Sequence, residues 1–428
     1  MEEESIVMFP SVGIGHIVAM VELAKLIQTH RFSITILLIT GVLDHPSIDA
    51  YIRRISALHP SISFLRLPRT TPATFTTAAS FAEALSFSEK NAPHVAATLT
   101  QISKTATVKA FVIDLFCANT MDSASSMGIP VYFFFTSGAA VLALYSYFPK
   151  LHQESSVSFK DMVGVELHVP GNAPLKAVDL PKPILDRDDP TYWYMLEFCT
   201  RMATARGIIV NSFEELEPAA VNAVAQGACF PDPTRAPRIH YIGPLLAEPQ
   251  QSDGAAAGTD KKECLRWLDE QPSRSVVYLC FGSQGSFSVS QLGEIAKGLE
   301  RSGKRFLWVV KKPLEEDGAK QGQELAKTGD EFDLPSVLPD GFLERTKDRG
   351  MVVKAWAPQV EMKVAVAVKE REEDGLVSGE EVEKRVREVM ENKKIRETSL
   401  KLKHMAMAAV SEFGSSTTSL ANLLHSWI

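Results

Sequence analysis

Residues 5–16 read Ser5-Ile6-Val7-Met8-Phe9-Pro10-Ser11-Val12-Gly13-Ile14-Gly15-His16. The run to Phe9 is short, apolar and closed by proline, as expected of a buried strand. Glycines then allow a tight turn, and an amphipathic stretch from about Gly15 to Thr29 reads as a helix. The same unit recurs downstream. Ser33–Leu38, Ile62–Leu67, Ala110–Ile113, Val131–Phe135 and Gly207–Asn211 read as further strands, with helices such as Ala79–Lys90 and Pro93–Ser103 between some of them. Strands alternating with helices make a parallel sheet covered on both faces.

The segment Leu245–Thr259, rich in Pro, Gln, Gly and Ala, reads as a linker, and the pattern restarts after it. A helix opens over Cys264–Leu268. Ser275–Cys280, Arg305–Val310, Met351–Ala355 and Lys363–Val368 read as strands. Ser288 with Gln291, and Ser378 with Glu381, form capping boxes ahead of helices. The charged insert Lys311–Asp333 reads as a solvated loop. The expected architecture is therefore α/β, with two doubly wound Rossmann-like domains. They would span residues 1–244 and 260–413, joined by a linker at 245–259. A C-terminal helix at 414–428 would pack back toward the first domain.

Composition narrows the function. The 428 residues are 45% apolar, enough for two cores. The formal charge of -7 argues against a nucleic-acid binder, which carries a basic stripe. The five cysteines (Cys117, Cys199, Cys229, Cys264, Cys280) include no C-x-x-C pair, so neither a zinc ribbon nor a disulfide framework is expected. The N-terminus lacks the basic start and long apolar stretch of a secretory signal, and the chain reads as cytoplasmic. Val131–Phe148 is long and apolar enough to suggest a membrane span. Gly128, Pro130 and Thr136-Ser137-Gly138 divide it instead into a strand and the helix Ala139–Phe148, so no stable membrane insertion is expected.

In doubly wound sheets, ligands bind beyond the carboxyl ends of the strands. Four features fall there. His16 lies in the first helical turn after the first strand; a general base and a helix-capping or packing histidine are both open readings. Asp114 ends Ala110-Phe111-Val112-Ile113, where it would either orient such a base or cap the next helix. A His with a carboxylate behind it suits removal of a hydroxyl proton. Phe281-Gly282-Ser283-Gln284-Gly285-Ser286 could cradle a phosphate through backbone N–H groups, or be an ordinary Gly/Ser turn. Trp356-Ala357-Pro358-Gln359 could stack on a base and bond a sugar, or Trp356 could be core. A nicotinamide site is disfavoured by Val18, which stands where a dinucleotide fingerprint has Gly or Ala.

In this order the pieces resemble the plant UDP-dependent glycosyltransferases of family one, which have the GT-B fold, two domains facing a cleft. The resemblance extends to Phe133-Phe134-Phe135-Thr136-Ser137-Gly138-Ala139, Asn211-Ser212-Phe213-Glu214-Glu215-Leu216-Glu217, Tyr241-Ile242-Gly243-Pro244-Leu245, Cys264-Leu265-Arg266-Trp267-Leu268-Asp269 and Arg305-Phe306-Leu307-Trp308-Val309-Val310. It implies inverting transfer of a sugar, glucose above all, from a UDP-sugar to a hydroxyl of a small phenolic or flavonoid acceptor. His16 would be the base and Asp114 its orienting partner. Thr136, Ser283, Trp356, Ala357 and Gln359 would hold the donor, and Gly15 and Phe135 would line the acceptor side. The UDP-sugar is a co-substrate, with no metal or other cofactor implied, and the protein would act as a monomer.

The chain departs from the family after Trp356-Ala357-Pro358-Gln359-Val360-Glu361. The His-Cys-Gly-Trp-Asn-Ser stretch, the following Glu and the acidic-Gln pair that complete the donor signature are missing. The resemblance resumes at Met362-Lys363-Val364, as if roughly fifty residues were lost, more than one βαβ unit of about thirty. The second domain is thus expected to be incomplete. The alternative function is an inactive variant that keeps acceptor binding or associates with full-length relatives.

Overall fold

The structure is a computed structural model that describes residues 3–28, 32–40, 46–69, 81–246, 257–281, 287–313, 332–354 and 376–428. The chain divides into two compact units, residues 1–247 with 403–428, and residues 248–402.

The first unit contains, in chain order, β1 (Glu3–Phe9), α1 (Ile14–Gln28), β2 (Ser33–Leu38), α2 (Pro46–Leu58), β3 (Ile62–Arg66), α3 (Phe81–Ile102), β4 (Ala106–Asp114), α4 (Met121–Ser125), β5 (Val131–Phe135) and α5 (Ala139–Glu154). It continues through the short hairpin β6 (Glu166–Leu167) and β7 (Leu175–Lys176), then α6 (Pro190–Met202), β8 (Gly207–Val210), α7 (Pro218–Ala225) and β9 (Arg238–Tyr241). Seven strands form one sheet in the order β3-β2-β1-β4-β5-β8-β9, and every pairing is parallel. Period-two alternation splits the strands between two cores. Val7, Phe9, Phe111, Ile113 and Phe133 face one side, and Ile6, Met8, Ala110, Val112 and Phe134 the other. Val131–Phe148 is no span: β5 lies inside the sheet with all five residues buried, and a helix follows. Among the described residues no helix is long and apolar enough to cross a membrane.

Three boundaries differ from the sequence reading, each for a local reason. The helices expected at Ala79–Lys90 and Pro93–Ser103 are one helix, α3, with Pro93 inside it. Proline removes the bond to the carbonyl four residues back. That residue, Glu89, is exposed, while Leu85, Val95 and Leu99 remain buried on either side of the proline. β4 begins at Ala106 rather than Ala110, because Lys109, which interrupts the apolar run, is neutralised by Glu4 at 3.0 Å. β9 was not expected at all; Arg238-Ile239-His240-Tyr241 is a polar edge strand with little apolar signature.

The second unit holds α8 (Ala257–Asp269), β10 (Val276–Leu279), α9 (Val289–Ser302), β11 (Arg305–Val310), α10 (Leu334–Val337), α11 (Phe342–Thr346), β12 (Gly350–Lys354) and α12 (Gly379–Glu391). The three strands pair in parallel in the order β10-β11-β12. One face carries a core around Trp308, Phe306, Phe342, Leu299 and Val382, and the other a smaller one around Cys264, Leu307, Val309 and Val353. Ser288 caps α9 by accepting from the Gln291 N–H at 3.2 Å. The reciprocal bond expected of Gln291 is replaced. Its buried amide donates to the Val377 carbonyl (2.8 Å) and accepts from the Val377 N–H (2.7 Å), which satisfies both of its ends.

Residues 247–256 of the expected linker lie outside the described residues, and α8 takes up its last three. The strand expected at Lys363–Val368 and residues 314–331 of the charged insert also lie outside them. α13 (Lys393–Ala409) contains the division at Leu402, ahead of the boundary expected at 414. α14 (Ser415–His425) then packs on the first unit. Ser416 donates to the Gly243 carbonyl at 2.6 Å, and the buried Trp427 lies edge-on to Tyr132 at 5.5 Å.

Candidate active site

The site grows from the switch point of the seven-stranded sheet, where β1 and β4 run side by side and the chain leaves them in opposite directions. Phe9 and Ile113 are register partners, so the residues following each strand emerge together. After β1 the backbone turns at Gly13, whose φ of 108° lies in the region that favours glycine. Gly15 does not make the turn; it is exposed, and a Cβ there would meet nothing within 4 Å. The turn places His16 in the first turn of α1.

Asp114, the last residue of β4, is almost fully buried and divides its two oxygens. Oδ1 accepts from the Phe116 N–H at 3.0 Å and caps the 3-10 helix over residues 115–120. Oδ2 lies 2.7 Å from His16 Nδ1. Asp114 therefore caps the helix with one oxygen and bonds the His16 ring with the other, so the two readings do not exclude each other. With Nδ1–H donating to the carboxylate, the imidazole is held in the tautomer whose Nε2 lone pair is free to take a proton. Nε2 has no protein partner among the described residues, and the side chain is 30% exposed. The Asp114 charge raises the His16 pKa above its ordinary value; burial works against this and the hydrogen bond reinforces it.

One aromatic ring packs on the imidazole and a second ring packs behind it. Phe116 meets His16 edge-on at 5.5 Å and lies 6.5 Å from Phe198. Phe116 had no role in the sequence reading; its signal was its place two residues after Asp114, where the cap turns the chain. Phe135 departs from expectation. It is 4% exposed and packed edge-on against Tyr145, a core side chain and not an open acceptor surface, because β5 is covered on both faces. Thr136, by contrast, is exposed on the same sheet edge. Phe134 is the register partner of Asp114, so Thr136 emerges just beyond it.

The structure thus brings together His16, Asp114, Gly15 and Thr136 along one edge. Ser283, Trp356, Ala357 and Gln359 lie outside the described residues. Among the described residues no group of three or more His, Cys, Asp or Glu side chains is placed to hold a metal ion. What the pair can do is take a proton from a hydroxyl and hold the resulting imidazolium against a buried carboxylate.

Comparison with known proteins places the chain in a family. No family model matches the chain. UDP-glycosyltransferase 88F3 of Pyrus communis is 46% identical over 481 aligned positions, which cover 98% of this chain and 99% of the relative. A phloretin 2'-O-glucosyltransferase of Malus domestica is also 46% identical, over 483 positions and with the same coverage. Both alignments are longer than the chain's 428 residues, so each relative carries residues for which this chain has no counterpart. Among solved structures, Phytolacca americana UGT2 complexed with UDP-2fluoro-glucose and pterostilbene superposes with a TM-score of 0.84, at 30% identity and 99% coverage of both chains. With the α/β architecture and this full-length identity, the chain belongs to the plant UDP-glycosyltransferases, enzymes of the GT-B fold.

Proposed function

We propose that this chain descends from, and is built for, inverting transfer of glucose from UDP-glucose to a hydroxyl of a small phenolic or flavonoid acceptor. The observation that carries the reading is the 2.7 Å contact between His16 Nδ1 and a buried Asp114 oxygen, with Nε2 left free. In the reaction, Nε2 takes the acceptor's hydroxyl proton while its oxygen bonds to the anomeric carbon. The bond from that carbon to the diphosphate breaks, and the electron pair leaves with UDP. Asp114 stabilises the imidazolium as it forms. Gly15 leaves open space beside the base, and Phe116 offers an aromatic ring edge to a phenol. Thr136 meets the donor sugar. Ser283 faces the diphosphate, Trp356 stacks on uracil, and Ala357 and Gln359 hold the base and ribose. The protein works as a cytoplasmic monomer. The relatives support the acceptor class: one is named for phloretin, and the Phytolacca structure holds pterostilbene.

A second reading is favoured by the alignment lengths and by β10. In the first unit the chain winds β1-β2-β3 to one side and returns with β4 on the other, and the switch point between β1 and β4 holds His16 and Asp114. The second unit winds β10-β11-β12 in the same sense, yet no described strand lies on the other side of β10, whose four residues are all only partly buried. This reading puts the missing positions at Glu361–Met362, where they would supply strands beyond β10, beside the donor. On this reading the chain keeps its acceptor side, binds UDP-glucose weakly and transfers slowly or not at all. The test is purified chain incubated with UDP-glucose and phloretin or a panel of phenols, with products followed by mass spectrometry and each ligand titrated by calorimetry. Rapid glucoside formation supports the first reading. Phenol binding without UDP-glucose binding supports the second.

A further inference from the structure

The helix that follows Thr136 is capped from far away. The N-cap of α5 is Gly138, which has no side chain to cap with, so the first N–H groups of the helix need a partner from elsewhere. Glu217 supplies it. Its Oε2 accepts from the Ala139 N–H at 2.6 Å and its Oε1 lies 3.4 Å from the Ala140 N–H. Glu217 is itself the N-cap residue of α7 but makes no side-chain cap there; its carboxylate is committed to the neighbouring helix. The fit is close, since a Cβ on Gly138 would collide with Glu217 Oε2. Two further bonds brace the same turn. The Asn211 N–H donates to the Phe135 carbonyl at 2.9 Å, and Asn172 Nδ2 donates to the Ala140 carbonyl at 2.9 Å.

We infer that Glu217 is a positioning residue for the sugar half of the donor. By gripping the start of α5 it fixes the Thr136-Ser137-Gly138 turn, and with it the height at which Thr136 stands above the sheet edge. A carboxylate suits the task because it accepts two N–H bonds and complements the positive end of the helix. The inference rests on the reading of Thr136 as a sugar contact.

The measurement is the ratio of UDP-glucose affinity to UDP affinity, taken by calorimetry on the full chain, because UDP lacks the group that Thr136 meets. Glu217→Ala lowers this ratio by about three- to tenfold, the worth of one hydrogen bond, with the affinity for UDP alone unchanged. Glu217→Gln, which keeps one acceptor oxygen, restores part of it, and serves in place of Glu217→Ala if that variant fails to fold. Gly138→Ala, which pushes the carboxylate away, reproduces the loss. A lower melting temperature with an unchanged ratio overturns the inference and leaves Glu217 a structural cap. Thr136→Ala separates the two ideas. If it leaves the ratio unchanged, the sugar contact itself is wrong; if it lowers the ratio and Glu217→Ala does not, only the positioning role falls. A wild-type chain that binds neither UDP nor UDP-glucose also overturns the inference, since the turn then has no sugar to hold.

Discussion

The first strands of the two units are written alike, Ile6-Val7-Met8-Phe9 in β1 and Val276-Val277-Tyr278-Leu279 in β10, but they are buried differently. β1 lies between β2 and β4, and its last five residues are buried. β10 pairs with β11 alone among the described residues, and each of its four residues is only partly buried. A parallel sheet is normally covered on both faces, and its central strands are flanked on both edges. The contrast sets a switch point with a neighbour on each side in the first sheet against a first strand with one described neighbour in the second. It also shows that neither strand's composition decides its burial; the neighbours do.

The strongest way to break the comparison is to test the proposal that the second sheet lacks residues at Glu361–Met362. On that proposal, inserting a relative's residues there should tighten UDP-glucose binding by about 10²–10⁴-fold, because two charge-assisted contacts at about 1.5–3 kcal/mol each would be added. Calorimetric titration reads this, and an insertion that leaves the affinity unchanged would overturn the proposal. In the chain with the insertion, His16→Ala should reduce turnover by about 10²–10⁴-fold with little change in UDP-glucose affinity. Steady-state kinetics would expose a weak effect and thereby remove His16 from the chemistry.

Stability offers a finer probe. Met8→Ala in β1 should cost about 2–5 kcal/mol, whereas Leu279→Ala in β10 should cost less than about 2, because a partly buried side chain loses less contact and leaves no closed cavity. Chemical denaturation followed separately in the two units checks this, and equal costs would mean that β10 is better covered than its exposure indicates.

The smallest effect concerns protons. Asp114 raises the His16 pKa, so the folded chain holds this proton to higher pH than the unfolded one. The pair's contribution to stability is therefore complete below about pH 6.5 and fades as pH rises through the raised value. With His16 as the proposed base, which works only when neutral, turnover should rise with pH across the same window. Asp114→Asn keeps an oxygen to cap Phe116 but removes the charge. It should move both the His16 titration and the rise in turnover to lower pH. Following the His16 ring proton by nuclear magnetic resonance tests it, and an unmoved midpoint would show that another group sets the shift.

Sequence by itself determined the repeating strand-helix order, the residue at each strand end and the family, because apolar runs and turn residues are local signals. It left open whether Asp114 caps a helix or orients a base, since both roles need the same carboxylate at the same strand end. The fold gives one oxygen to the helix cap and the other to His16, so the carboxylate need not choose. Phe135 could not be told from an open aromatic surface, because burial of a central strand depends on what covers each face. β9 was too polar to be seen, and Glu217 lies 79 residues from Gly138, too far for any spacing rule to connect them. Contacts of this kind arise only when parallel strands bring their carboxyl ends to one edge, and pairing across a sheet is set by the whole chain and not by any stretch of it.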